Sequence, residues 1–231
     1  VSLRAIFFDA GNTLLRMNYA AIAGALGRHG VTTTAEAVQR AEWRARVRLD
    51  AEVLAHARST ESGSTHLRYL RYLLEGVGVT DAGTIGAMEA WRRAYDGPGG
   101  LWNTADPDAR AALEAVRATG LRAAIISNSN GTIRAVATRL GFVDRLDFVI
   151  DSAEEGVEKP DPRIFEIALG RAGVAPEEAA YIGDLYSIDV LGARRVGLRA
   201  VLLDPGRCWG ERDCATAATV LEAVTLLLAR A

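Results

Sequence analysis

Four short polar clusters hold the side chains of this 231-residue chain that could do chemistry. The first, Phe8-Asp9-Ala10-Gly11-Asn12-Thr13-Leu14, sets a carboxylate at the tip of an apolar run and follows it with a tight turn. Ser127-Asn128-Ser129-Asn130-Gly131 comes directly after Ile125-Ile126, and Lys159-Pro160-Asp161-Pro162 opens a helical stretch. The last, Gly183-Asp184-Leu185-Tyr186-Ser187-Ile188-Asp189, follows Tyr181-Ile182. Brought together, they supply Asp9, Ser127, Lys159, Asp184 and Asp189. Carboxylates that converge repel one another unless a cation lies among them. Oxygen ligands without clustered Cys or His suit Mg²⁺ rather than zinc. A hydroxyl and an ammonium beside such an ion would hold a phosphoryl group and neutralise the charge that builds during transfer. Asp9 would then be the nucleophile, forming a covalent aspartyl intermediate that water cleaves.

Each residue also has a plainer role open to it. An Asp after a strand commonly starts a turn, Ser127 or Asn128 could cap a helix, and Lys159 could be an exposed turn residue. What favours chemistry is the order, each cluster trailing its own strand, and the lysine. Of 27 basic residues, 26 are arginine and Lys159 is the single lysine. An ammonium is a compact point charge and a guanidinium a broad planar fork. A chain that keeps one lysine suggests a site too tight for the fork.

Five apolar runs read as strands that would position these clusters: Ala5–Phe8, Ala123–Ile126, Phe148–Ile150, Ala180–Ile182 and Ala200–Leu203. Helical patterns at Thr132–Leu140, Pro162–Ala172 and Ile188–Val196 alternate with them. The expected fold is α/β, a Rossmann-like parallel sheet with helices on both faces and its ligands at the C-terminal strand edge. From Arg16 to Gly100 no strand is expected. Helical patterns at Ala35–Ala57, Thr65–Leu74 and Ile85–Tyr95 read instead as an inserted helical-bundle cap, ending at Gly97-Pro98-Gly99-Gly100. The expected domains are a core of residues 1–15 and 101–231 and a cap of residues 16–100. A turn at Asp204-Pro205-Gly206 and a helix over Ala218–Ala229 close the chain.

A formal net charge of -2 gives no reason to expect a nucleic-acid or membrane-surface partner. No apolar run approaches the roughly 18 residues of a membrane span, and Arg4–Phe8 reads as a buried strand rather than a signal peptide. A cytoplasmic location is expected. Cys208 and Cys214 are expected as two isolated thiols. His29, His56 and His66 lie too far away in sequence to complete a zinc site with them.

In this order, and with a helical insert after the first, the four clusters resemble the haloacid dehalogenase superfamily over almost the whole chain. The resemblance implies that Asp9 is the nucleophile and that Ser127, Asn128 and Lys159 bind the phosphoryl group. It implies Mg²⁺ held by Asp9, the Gly11 backbone carbonyl and Asp184, with Asp189 supporting from behind. The implied substrate is a small phosphorylated molecule. One departure matters: phosphatases of this family usually carry a second aspartate, as acid and base, where Gly11 stands. Its loss removes a contribution of typically ~10²–10⁴-fold, and Asn12 next door cannot exchange a proton near neutral pH.

The departure leaves several readings. A phosphatase could act on an activated phosphate, or take its acid and base from the cap or from water. A 2-haloacid dehalogenase uses the same aspartate on carbon without a metal, but usually has an aromatic residue at Gly11 and a serine at Asp184. Phosphonate cleavage needs a cap lysine, and residues 1–158 contain none. A binding protein that has lost activity is a reading of a different class. Within the cap, Arg44, Arg48, His56, His66, Arg68 and Arg71 could reach an anionic substrate, although such residues on helices mostly form solvated faces. Trp43, Tyr69, Tyr72 and Trp91 read as cap core.

Overall fold

The computed structural model describes residues 2–52, 59–97 and 99–229. Its main sheet is parallel, in the order β5 (Phe148–Asp151), β4 (Arg122–Ser127), β1 (Ala5–Phe8), β6 (Ala179–Gly183), β7 (Arg199–Leu203), β8 (Ala215–Ala217). The five expected strands are all present. β8 is an addition whose three residues, Ala-Thr-Ala, carry little pattern and pair only with β7.

β1 and β6 are buried along their whole length, as strands covered on both faces must be. Alternation sorts their side chains: Ile6 and Phe8 join one hydrophobic cluster, Ala5 and Phe7 the other. On the first face lie α5 (Ala109–Ala118), α6 (Ile133–Arg139) and α10 (Val220–Leu228). α5 forms because Ala109, Ala112, Leu113 and Val116 recur at helical spacing and all four are buried. On the opposite face, α8 (Pro162–Ala172) starts with Asp161 accepting from the Arg163 N–H and Pro162 in the first turn, and ends at Gly173 in the left-handed region. The short helices α7 (Ser152–Glu155) and α9 (Leu191–Arg195) complete the core.

β1 sits between β4 and β6. This is a topological switch point, where a parallel sheet opens a crevice at its C-terminal edge. The clusters after Phe8, Ser127 and Gly183 therefore become neighbours although more than a hundred residues separate the first from the others.

Between β1 and β4 run α1 (Tyr19–Arg28), α2 (Ala35–Glu52), α3 (Gly63–Gly76) and α4 (Ala82–Ala94). They share a hydrophobic cluster that includes Ile22, Leu26, Val38, Leu73, Leu74 and Met88. The far end of the expected Ala35–Ala57 helix lies outside the described residues. One expectation fails. The stretch expected to lack strands begins within β2 (Leu15–Met17), which pairs antiparallel with β3 (Trp102–Ala105). Three residues centred on an arginine give no periodicity to read, and the strand exists because a partner some 90 residues away meets it. The Asp204–Gly206 turn is present, and Cys208 and Cys214 are free thiols. Among the described residues no helix is long and apolar enough to cross a membrane.

Asp151, fully buried at the end of β5, organises the neighbouring loop. Its carboxylate accepts backbone N–H groups of Gly131 at 3.1 Å, Ile133 at 3.3 Å and Ala153 at 3.0 Å. It thereby ties the start of α6, and with it the Ser127–Gly131 loop, to the next strand. Asp151→Ala strands those donors and is expected to lower the unfolding free energy by about 3 kcal/mol. Urea denaturation measures this, and a midpoint equal to the parent's would refute the role.

Candidate active site

Asp9 follows β1, and its backbone N–H donates to the Ile182 carbonyl at 2.8 Å, so the first cluster starts in register with the last. Beside it the Lys159 ammonium is buried and fully engaged. Nζ donates to Asp9 Oδ1 at 2.6 Å, to Asp189 Oδ1 at 2.8 Å and to the Tyr181 hydroxyl at 2.8 Å. Three donors meet three oxygens, which is all an ammonium can give. Burial opposes its charge, but the carboxylates of Asp189 and Asp9 outweigh burial and hold the ammonium well above its ordinary value.

The Asp9 carboxyl is pushed up to about 6, chiefly by burial, with Lys159 pulling it down and Asp189 adding to the rise. Asp184 lies well above the usual carboxylate range: burial dominates, Arg46 opposes it, and Asp9 and Asp189 reinforce it. Asp189 Oδ2 accepts the backbone N–H groups of Asp184 at 3.1 Å and Leu185 at 2.9 Å. With both oxygens occupied, Asp189 acts as the brace of its own loop. Gly183 makes room for it, since a Cβ there would lie 2.4 Å from Asp189 Cγ.

Asp9, Asp184 and Asp189 are buried, with one oxygen of each lying within 4.8 Å of the others. Lys159 and Arg46 are the cations paired with these three, and Arg46 is also held bidentately by Glu42, at 2.8 and 2.6 Å. The excess of negative charge and the all-oxygen donor set fit a hard divalent cation. Asp184 engages its partners through Oδ2. Asn12 Nδ2 lies 3.2 Å from that atom, and Arg46 Nη1 sits 3.1 Å from it, at ion-pair distance without hydrogen-bond alignment.

Ser127 ends β4, with its hydroxyl donating to the Asn128 carbonyl at 3.2 Å. The Asn128 amide engages Lys159 at both ends, Oδ1 accepting the lysine's N–H at 2.7 Å and Nδ2 donating to its carbonyl at 2.9 Å. Nδ2 also reaches Thr60 Oγ1 at 2.9 Å. Asn128 therefore locks the third cluster to the second. A cavity of about 180 Å³ opens over the site, and Asp9, Gly11, Ser127, Asn128, Lys159, Asp184 and Asp189 all line it.

Several side chains at this site have no counterpart in the sequence reading. α2 carries Glu42, Arg46 and Asp50 on one buried face at a spacing of four. Glu42 also receives the hydroxyls of Tyr19 and Tyr69. Asp50 accepts the backbone N–H and hydroxyl of Ser187 at 3.0 and 2.6 Å, gripping the last cluster. An i,i+4 Glu–Arg pair is visible in sequence, but such pairs are usually solvated. Tyr69 reads as cap core and also lines the cavity, while Arg48 and Arg71 pair with acids on exposed faces. His66, Glu61, Arg92 and Trp102 line the cavity from the segment after β1. Trp102 lies against Gly11: a Cβ on that glycine would sit 3.3 Å from the indole Cδ1, and the indole N–H donates to Asn12 Oδ1 at 3.1 Å.

Residues 3–197 match the family model of haloacid dehalogenase-like hydrolases. The haloacid dehalogenase-like hydrolase domain-containing protein 3 of Bos taurus is 30% identical over 213 residues, 88% of this chain and 82% of that one. A phosphoserine phosphatase of Thermus thermophilus is 44% identical over 101 residues, 43% of this chain, and the match spans about two fifths (41%) of that relative. Among solved structures, the magnesium-bound HAD-hydrolase YfnB of Bacillus subtilis superposes with a TM-score of 0.67 at 16% identity, covering 98% of this chain and 99% of that one. A HAD phosphatase of Thermococcus onnurineus gives a TM-score of 0.59 at 24% identity, covering 97% and 98%. Both share the fold.

Lys159→Met leaves two buried carboxylates without their cation and is expected to cost about 3–5 kcal/mol of stability at neutral pH. The loss should be larger at pH 8 than at pH 5, where Asp9, already raised to about 6, takes up a proton and relieves the repulsion. Thermal unfolding at the two pH values measures this, and equal losses would refute the charge-bridging role.

Proposed function

The chain belongs to the haloacid dehalogenase-like hydrolases, and on that premise we propose that it is a Mg²⁺-dependent phosphatase acting on a small phosphorylated molecule through an aspartyl-phosphate at Asp9. The observation that carries this reading is the Lys159 ammonium held between Asp9 and Asp189, with Asp184 a few ångströms away at the same cavity. Asp9 is the nucleophile. Its Oδ1 is held by the ammonium, which fixes the direction in which the carboxylate faces the cavity. The Ser127 hydroxyl receives a phosphoryl oxygen, Lys159 sets its positive charge beside the phosphoryl group, and Asn128 holds the lysine backbone in place.

Asp9, the Gly11 carbonyl and Asp184 would hold the ion, with Asp189 behind them. When bound, it supplies positive charge against the phosphoryl oxygens. Residues 16–100 form the cap in this reading, supported by the hydrophobic cluster that α1–α4 share. A relative named as a phosphoserine phosphatase supports phosphate ester chemistry, and only the class of reaction is carried over from it. Against the dehalogenase alternative stand Gly11 and the carboxylate at Asp184; chloride release from a 2-haloacid that persists in EDTA would reinstate it. Gly11 also leaves the leaving group without the family's usual proton donor.

Asp9→Asn is expected to abolish phosphate release across sugar phosphates, nucleotides and acyl phosphates, at least ~10³-fold. Turnover by that variant would end the nucleophile assignment. The pH dependence follows from Asp9 and Asp184, whose folded-state pKa values are raised. A raised carboxyl binds more protons folded than unfolded, so its contribution to the stability of the metal-free chain falls as pH rises from about 4 through 6. Mg²⁺ at a hundredfold over its Kd then restores about 3 kcal/mol at pH 7.5. This gain should shrink below pH 6 and vanish in Asp184→Asn. A thermal shift indifferent to both changes would contradict the site.

A further inference from the structure

We propose that Glu61 is the general acid and base of this active site, supplying from the helical segment the proton that Gly11 cannot. The assignment rests on the phosphatase reading and adds to it the means to cleave ordinary alkyl phosphates.

Three observations converge. The Trp102 indole crowds the place beside Asp9 where an acid would hang from residue 11, lying 3.3 Å from where a Cβ would be. Asn12 cannot stand in, since its amide is held by Trp102, Tyr69 and Asp184 and does not titrate. Among the described residues, four carboxyls line the cavity: Asp9, Asp184, Asp189 and Glu61. The first three are joined to Lys159 or Arg46. Among the described residues Glu61 has no such partner: its carboxylate pairs only with the imidazole of His66, at 3.9 Å.

The segment that carries Glu61 is fastened to the catalytic loops on both sides. Thr60 Oγ1 receives the Asn128 amide at 2.9 Å. Ser59 Oγ donates to Glu158 at 2.9 Å and accepts the Glu61 backbone N–H at 3.1 Å. Asn128 and Glu158 adjoin Ser127 and Lys159 in the chain, so Glu61 is held at the pocket that Asp9, Ser127 and Lys159 also line. About a third of its side chain remains open to solvent, which gives a proton a route in and out.

Among the described residues, the charged or titratable groups that face it are Glu158, Asp151, Asp9, Lys159, Arg92 and His66. Burial, then the Glu158, Asp151 and Asp9 carboxylates, push the Glu61 carboxyl up to about 7, with Lys159 opposing. An acid poised there gives and takes protons with equal ease at neutral pH. His66 is a poorer donor, because burial and Arg92 lower its pKa and leave the ring neutral.

The step balances. Asp9 attacks phosphorus as the P–O bond to the alcohol breaks, and the Glu61 carboxyl gives its proton to the departing alkoxide. Glu61, now a carboxylate, takes a proton from water as that water attacks the aspartyl phosphate. Phosphate leaves, Asp9 is freed and Glu61 is again protonated.

The experiment compares the unsubstituted chain with Glu61→Gln on ethyl, phenyl, p-nitrophenyl and acetyl phosphate, with Mg²⁺ present. Glu61→Gln should lower kcat/KM by ~10²–10⁴-fold for the ethyl ester and less than ~10-fold for acetyl phosphate, whose leaving group needs no proton. The kcat/KM profile for the ethyl ester should fall above about pH 7 in the parent and lose that limb in the variant. The variant should also show a burst of p-nitrophenol, because the water step has lost its base. A uniform loss on all four substrates with an unchanged pH profile, or no loss at all, overturns the assignment while leaving the phosphatase reading intact. Absence of phosphate release by the parent from every substrate overturns both.

Discussion

One buried ammonium holds this site together. Lys159 reaches the C-terminal edge of the sheet from the loop before α8 and touches oxygens from three other places in the chain: Asp9 after β1, Tyr181 within β6 and Asp189 in the turn after it. Two carboxylates so close in a buried crevice would repel strongly, and a single positive point charge turns that repulsion into a bridge. An ammonium suits the position because its three donors diverge toward three separate oxygens, whereas a guanidinium fork is planar. This is the physical reason the one lysine among 27 basic residues stands here.

The bridge governs what the neighbours can do. Asp189 faces the ammonium with one oxygen and two backbone N–H groups with the other, which shapes the turn that carries Asp184. Asp184 is then approached from the far side by Arg46 of α2, while Asp50 of the same helix holds Ser187. The helical segment is thus wired into the Gly183–Asp189 loop through buried polar contacts. Burying so many charges has a cost that close pairing offsets. In return the loop geometry becomes sensitive to how the helices sit.

The same wiring explains how a glycine is accommodated beside Asp9. Trp102, brought over Gly11 by the β2–β3 pairing, lies tight against the position of a Cβ there, and its indole N–H holds Asn12, whose amide also meets Asp184. A residue that removes a proton donor from one place therefore coexists with a pocket wall that admits another from the helices. Among the described residues, Glu61 is the lining carboxyl that the charge bridges to Lys159 and Arg46 leave over.

Much of this was legible in the sequence, for a physical reason. Buried parallel strands must be continuous apolar runs, so Ala5–Phe8 and its partners announce themselves. The polar clusters that follow them must converge, because a parallel sheet puts all its C-terminal ends on one edge. Asp9, Ser127 and Asp184 follow from that rule; Lys159, which stands before α8 with α7 between it and β5, was marked by the rarity of lysine. Tertiary structure decided what depends on partners remote in sequence. β2 is three residues made a strand by β3. The Glu42–Arg46–Asp50 stripe reads as a solvated helix face until the sheet edge buries it. Glu61 is one acid among many until Thr60 is tied to Asn128 and Trp102 closes over Gly11. Periodicity reports which face of an element is apolar; which polar residues that face meets is set only when the elements pack.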